Sequence, residues 1–222
     1  MARPGFATVA VALLLAIAGG LFLLAQLMPG APTQLRDTKE THRRLAQVGR
    51  ALVAHGALQG RLPCPAEDSS GVEGKCGGGE GEAIGFVPYD ALGLPAVQAR
   101  DAWGRMVTYA VTVSLTEADG WVVGASGALI LEAGAKAGTP QAPSRREEGL
   151  AWILVSHGAN GAGATLPSGE TLANPAGAGE IENLGRAPDG DPAVFRTAPH
   201  VLDSTIGALY DDLVRGGLPP KG

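Results

Sequence analysis

The chain has 222 residues, an apolar fraction of 45% and a charged fraction of 18%. That balance excludes a disordered chain, and with about 30 N-terminal residues set aside it still leaves one ordinary domain with its own core. A net charge of −5 leaves no basic footprint for nucleic acid, while 34 glycines and 16 prolines predict a body rich in turns.

The chain opens on an apolar run from Phe6 to Ala25 in which Thr8 is the only polar side chain. A helix of that length spans about 30 Å, the thickness of a hydrocarbon core. It also exceeds the roughly 7–15 residues of a secretory apolar region. Arg3 and the terminal amine are the only charges before it, and the next is Arg36. The positive-inside tendency keeps that end cytoplasmic and places the body outside. Two readings stay open, a retained anchor and a secretory signal cut near Ala25 or Ala31. Both export the body.

Pro29, Gly30 and Pro32 predict a break, because an interior proline removes a helix hydrogen bond and clashes with the preceding turn. Thr33 is the expected cap of a second helix running to about His55. Leu35, Leu45, Val48, Leu52 and Val53 follow helical spacing and predict a stripe packed on a sheet. Arg36, Lys39, Glu40, Arg43, Arg44 and Arg50 fall largely elsewhere on the wheel, as a solvated face. His42 and His55 read as surface residues, since neither has a second ligand at i+4.

The stretch from Gly60 to Gly79 reads as a loop, stiff at Leu62-Pro63-Cys64-Pro65 and slack at Gly77-Gly78-Gly79. Cys64 and Cys76 are the only cysteines, and outside the cytoplasm they are expected to pair. Free thiols and half of a metal site are the alternatives, the latter lacking a Cys or His at partner spacing. In Asp101-Ala102-Trp103-Gly104, Asp101 is expected to accept a backbone N–H two residues on, Trp103 to plug the core and Gly104 to adopt positive φ. Val107, Tyr109, Val111 and Val113 then alternate as a half-buried strand. Trp121–Val123, Ala128–Leu131 and Leu150–Val155 read as further strands, paired antiparallel across glycine-containing turns.

Residues 156–222 hold eight acids against four bases. Ser156-His157 invites a hydrolase reading, but strand neighbours point to opposite faces and no nucleophile elbow is present, which favours a strand end and a turn. Ile206, Leu209, Tyr210 and Leu213 fit one helical stripe, with a closing strand over Leu209–Val214 as the alternative. Asp211 and Asp212 read as surface or turn residues.

Asp101-Ala-Trp103-Gly104-Arg-Met-Val-Thr-Tyr109 is similar to the Asp-Pro-Trp-Gly-Asn-Pro-Tyr segment of major pseudopilins, and Ser156-His-Gly158-Ala-Asn160-Gly161 is similar to their Ser-x-Gly-x-Asp-Gly turn. With Gly5 followed by Phe6 and an apolar helix, the chain resembles the type IV pilin and type II secretion pseudopilin superfamily. The resemblance implies an α+β fold, with a long N-terminal hydrophobic helix continuing into an amphipathic helix packed on a small antiparallel β-sheet. It divides the chain into a leader (1–5), a transmembrane and assembly helix (6–28), a kink (29–32), an amphipathic helix (33–57) and an exported, loop-rich antiparallel β domain (58–222).

The implied processing is cleavage after Gly5 and methylation of Phe6 by a prepilin peptidase. The implied location is the bacterial inner membrane, single-pass, with the C-terminal domain periplasmic. The implied partners are that membrane and other pilin-like subunits, and the implied role is not enzymatic. No cofactor is required, although the resemblance suggests Ca²⁺ near the Asn160 turn, with Asn160, Glu180, Glu182 and Asn183 as candidate oxygen ligands. The chain departs from the family in having Ala10 where Glu usually stands at the fifth mature position. That departure implies a minor or tip subunit, or an unprocessed anchor. The alternative function is an exported, signal-peptide-bearing or singly anchored domain that binds a ligand or cation and does not polymerise.

Overall fold

The computed structural model describes residue 17 and residues 31–78, 80–134, 145–173, 180–181, 183–184, 194–197, 201–203 and 208–221. The chain divides into two units, Met1–Arg36 and Asp37–Gly222, and the packing below belongs to the second. Among the described residues no helix is long and apolar enough to cross a membrane; the apolar run apart from Ile17, with Gly5, Phe6, Ala10 and residues 29–30 of the expected kink, lies outside them.

Helix α1 spans Ala31–Gln59. It therefore already contains Pro32 and Thr33, instead of starting after them; a proline in the first turn of a helix forfeits no hydrogen bond. Of the expected stripe, Leu45, Val48 and Leu52 are buried, whereas Leu35 and Val53 are exposed. Thr41, Gly49 and Gly56 complete the buried face. The two glycines make room for aromatic rings. A Cβ on Gly49 would lie 2.7 Å from the tip of Trp152, and one on Gly56 the same distance from the Trp121 indole. Alanine ordinarily stabilises a helix interior by about 1 kcal/mol over glycine. Here Gly49→Ala is expected to reverse that sign and cost about 1–3 kcal/mol through overpacking. Urea denaturation of the two proteins under the same conditions checks it, and a stabilised variant would show that the indole seat is not tight.

Among the described residues nine strands follow: β1 Glu82–Phe86, β2 Thr108–Thr112, β3 Leu129–Ala133, β4 Arg145–Leu150, β5 Trp152–Ser156, β6 Val194–Thr197, β7 Val201–Asp203, β8 Ala208–Tyr210 and β9 Leu213–Gly217. They form a four-stranded sheet in the order β1-β2-β5-β9, a three-stranded sheet β4-β3-β6 and the hairpin β7-β8. The expected antiparallel pairing holds in the larger sheet. The second sheet corrects it in part, because β3 and β6 run parallel. Trp121–Val123 is not a strand. The Trp121 N–H bonds to the carbonyl of Gly60, and Val122 and Val123 are exposed. The helical stripe expected at the C-terminus is replaced by β8 and β9, and the alternative of one closing strand over Leu209–Val214 is corrected too, since Asp211 and Asp212 separate β8, paired with β7, from β9, paired with β5.

The four-stranded sheet is covered on both faces. Tyr109 and Val111 of β2, with Trp152 and Leu154 of β5, pack with Leu45, Val48 and Leu52 of α1. Ala110, Ile153 and Val155 face the other way and pack with Leu129, Leu131, Leu150 and Phe195 of the second sheet. Strand β2, expected to be half-buried, is thus interior on both sides. The chain changes sheets at Ala151, and Thr112 holds that corner by donating from Oγ1 to the Leu150 carbonyl and from its N–H to that of Ala151. Strand β4 is an edge and is charged. Arg146 of β4 and Arg196 of β6 both meet Glu132 of β3, their register partner. Charges along an edge strand discourage pairing with a second sheet.

Cys64 and Cys76 form a disulfide. Its loop is pinned by Glu73, which accepts from Arg61 and from the Cys64 N–H. Tyr109 secures the same loop from the core, donating from its hydroxyl to the Pro63 carbonyl at 3.0 Å.

Candidate functional site: a buried carboxylate cluster behind two joined turns

The two turns singled out in the sequence are joined in space. Asp101 Oδ1 accepts the N–H groups of Trp103 and Arg105, as a short side chain folded back on its own turn can. Its other oxygen, Oδ2, accepts from Ser156 Oγ at 3.1 Å. Burial pushes the Asp101 carboxyl above the usual carboxylate range, opposed by those hydrogen bonds and by the Arg105 charge. Gly104 has φ +85, as expected of the turn. Trp103 is not the core plug expected of it. It is only half-buried and lies under the Arg105 guanidinium, 5.4 Å from ring centroid to Cζ.

Arg105 is the link that sequence reading missed. It is buried, and it donates to the carbonyls of His157 (3.3 Å), Gly158 (2.6 Å) and Ala159 (3.1 Å). A planar guanidinium with five fixed donors can hold a tight turn in this way. Gly161 allows the approach, since a Cβ there would fall 2.1 Å from Arg105 Nη1. Helix α1 grips the first turn through Thr41 Oγ1, which accepts from the Ala102 N–H, and through Arg44, which donates to the carbonyls of Val97, Arg100 and Asp101. Arg44 therefore does not belong to the solvated face on which its spacing placed it. His55, read as a surface residue, is half-buried with Nε2 unpartnered.

Ser156 and His157 do not act on one another. Ser156 is committed to Asp101, while His157 Nε2 meets Thr108 Oγ1 at 3.4 Å. The antiparallel register pairs Ser156 with Leu213, so the next positions along, His157 and Asp212, come together. His157 Nδ1 lies 3.8 Å from Asp212 Oδ1. Gly158 (φ +52) lets the turn lie against Asp211, whose carbonyl would stand 2.1 Å from a Cβ there.

Glu180, Asp211 and Asp212 form a cluster whose carboxylate oxygens lie within 4.8 Å of one another. All three residues are buried, at 1%, 2% and 3% exposure, which corrects the surface reading of the aspartates. Asp211 Oδ2 accepts the Asn160 N–H at 2.6 Å, Glu180 Oε1 accepts from Asn160 Nδ2 at 3.0 Å, and Asp212 Oδ2 accepts from Asn183 Nδ2 at 2.8 Å. Of the expected ligands, Glu180 is in the cluster and Glu182 lies outside the described residues. Asn160 and Asn183 are present in a different role. They present N–H groups to the carboxylates, while their amide oxygens accept from the N–H groups of Ala162 and Arg196.

Burial, with Glu180 and Asp211 nearby, pushes the Asp212 carboxyl up to about 8 despite the Asn183 hydrogen bond. Burial likewise raises Glu180. The same burial, with the Arg105 charge behind it, lowers His157 to about 4, so its imidazole is neutral near pH 7. A neutral histidine beside three buried acids is an arrangement that a proton held among the carboxyls, or a bound cation, would compensate. The sequence signal for it was a pair of acids inside the apolar run Leu209–Val214. No family model matches the chain, and no curated protein or solved structure is significantly similar to it.

Proposed function

We propose that the chain is a non-enzymatic, membrane-anchored pilin-like subunit, of the pseudopilin kind, that works by assembly in a type II secretion or type IV pilus-like machine. One observation carries the reading. An amphipathic helix packed on an antiparallel sheet, α1, follows a twenty-residue apolar run after only a few residues. The apolar run would anchor the subunit in the inner membrane and then pack against sister helices, while the disulfide-bearing body stands in the periplasm. The side-chain and backbone bonds between the Asp101 and Ser156 turns support treating those two motifs as one structural unit. Ala10 favours a tip position, where no subunit ahead offers an amine to a carboxylate at that place. It also favours a second reading, an exported or singly anchored domain that binds a ligand and never polymerises.

N-terminal sequencing with intact mass, in hosts with and without a prepilin peptidase, separates these. The expected product is cut after Gly5 and methylated on Phe6 only when the peptidase is present. An intact Met1 would establish a simple anchor, and a cut near Ala25 or Ala31 plain secretion. Ala10→Glu should leave incorporation unchanged or reduced if the subunit caps a filament. A rise would assign it to the shaft.

A further inference from the structure

Four buried polar atoms converge beside the end of β5 with nothing to bond to. Among the described residues, Glu180 Oε2, Asp211 Oδ1, Asp212 Oδ1 and His157 Nδ1 all lack a hydrogen-bond partner. Buried polar atoms are rarely left so, because each forfeits its hydration without replacement. When ionised, the three carboxylate atoms are acceptors. In the tautomer that gives Nε2–H to Thr108 Oγ1, His157 Nδ1 turns a lone pair toward Asp212 Oδ1 as well. Acceptors facing acceptors repel unless a proton or a metal cation lies between them. The opposite oxygen of each carboxylate is fixed by a hydrogen bond from Asn160 or Asn183, the arrangement by which an outer layer of donors aims metal ligands.

We propose that Glu180, Asp211, Asp212 and His157 bind one divalent first-row transition-metal ion, of the Zn²⁺ or Mn²⁺ class. The donor set decides the class. Imidazole nitrogen with carboxylate oxygen suits these ions, whereas Ca²⁺ takes six to eight oxygens. The amide oxygens that would supply the extra ones, on Asn160 and Asn183, already accept backbone N–H groups. The three carboxylates, each with an atom within 4.8 Å of the others, would reach a common ion through side-chain shifts of about 1 Å, and His157, outside that group, would join from beside Asp212 Oδ1, 3.8 Å from its Nδ1. Exposed Asn160 forms the rim through which the ion enters. The ion would tie the Ser156–Gly161 turn, the Glu180 segment and the β8–β9 connection together, whether or not the chain polymerises.

The full chain in detergent micelles, stripped with a chelator, is titrated with Zn²⁺, Mn²⁺ and Ca²⁺ by calorimetry. One equivalent of Zn²⁺ or Mn²⁺ is expected, bound at least tenfold tighter than Ca²⁺. His157→Phe should weaken Zn²⁺ by about tenfold or more and leave Ca²⁺ unchanged, and Asp212→Asn should abolish binding. Should Asp212→Asn fail to fold, Mn²⁺ electron paramagnetic resonance of the wild type provides the second measurement. It is expected to show a nitrogen coupling that His157→Phe removes. Absence of saturable binding, full affinity in Asp212→Asn, or Ca²⁺ bound more tightly than Zn²⁺ and Mn²⁺ would each overturn the site. None of these outcomes touches N-terminal processing, so the site and the assembly role fail separately.

Discussion

Replacing Arg105 with alanine is expected to destabilise the body by about 3–5 kcal/mol, the usual consequence of removing one partner from a buried charged network. The residue is 7% exposed, and its guanidinium is the donor for three successive carbonyls, those of His157, Gly158 and Ala159. Truncation strands those carbonyls in a site too enclosed for easy hydration, at about 1–3 kcal/mol for each group left unsatisfied. It also removes the positive charge that offsets the burial of Asp101. Arg105→Lys should recover only part of the loss, since an ammonium is a point charge and cannot span three acceptors as the fork does. Denaturant unfolding of wild type and both variants measures the effect. Because the turn held by Arg105 also carries His157 and Asn160, the variant should weaken the proposed metal binding before it unfolds. A loss below about 1 kcal/mol would mean that water replaces the guanidinium and that the joined turns are not a stability element.

The second large effect is expected from the disulfide. Cys64 and Cys76 are separated by 12 positions, and closing a loop of that size removes denatured-state entropy equivalent to about 3 kcal/mol. For a body of this size that corresponds to a fall of roughly 6–12 °C in melting temperature. The double change Cys64→Ala/Cys76→Ala and reduction of the wild type by dithiothreitol should give the same loss, because both open the same loop. A larger loss in the double variant would place the excess in packing, as Cys76 lies against the core shared by α1 and the four-stranded sheet. The loop is held independently by Glu73, which joins Arg61 to the Cys64 N–H, and by the Tyr109 hydroxyl on Pro63. Those bonds should keep the fold native in the reduced protein at 25 °C. Loss of native circular dichroism on reduction alone would show that the staple carries more than its entropy.

Features set by neighbouring residues are legible in the amino-acid order itself. The stripe Leu45–Val48–Leu52, the Asp101 turn with Gly104 at positive φ, β2 from Tyr109 and Val111, β3, β5 and the pairing of the two cysteines all follow from local pattern. Periodicity and turn chemistry act over a few residues and need no distant partner. The rest needed the folded chain. Alternation along β2 identifies one apolar face but cannot tell that Ala110 on the other is also covered, because its cover comes from Leu129, Leu150 and Phe195. Gly49 and Gly56 look like weak points of a helix until Trp152 and Trp121 fill the space above them. The carboxylate cluster is the sharpest case. Asp211 and Asp212 have the spacing of solvated turn residues, and only the Ser156–Leu213 register places them beside His157 and, with the Asn160 turn, beside Glu180. Strand register depends on long-range pairing, and so therefore does a site built across it.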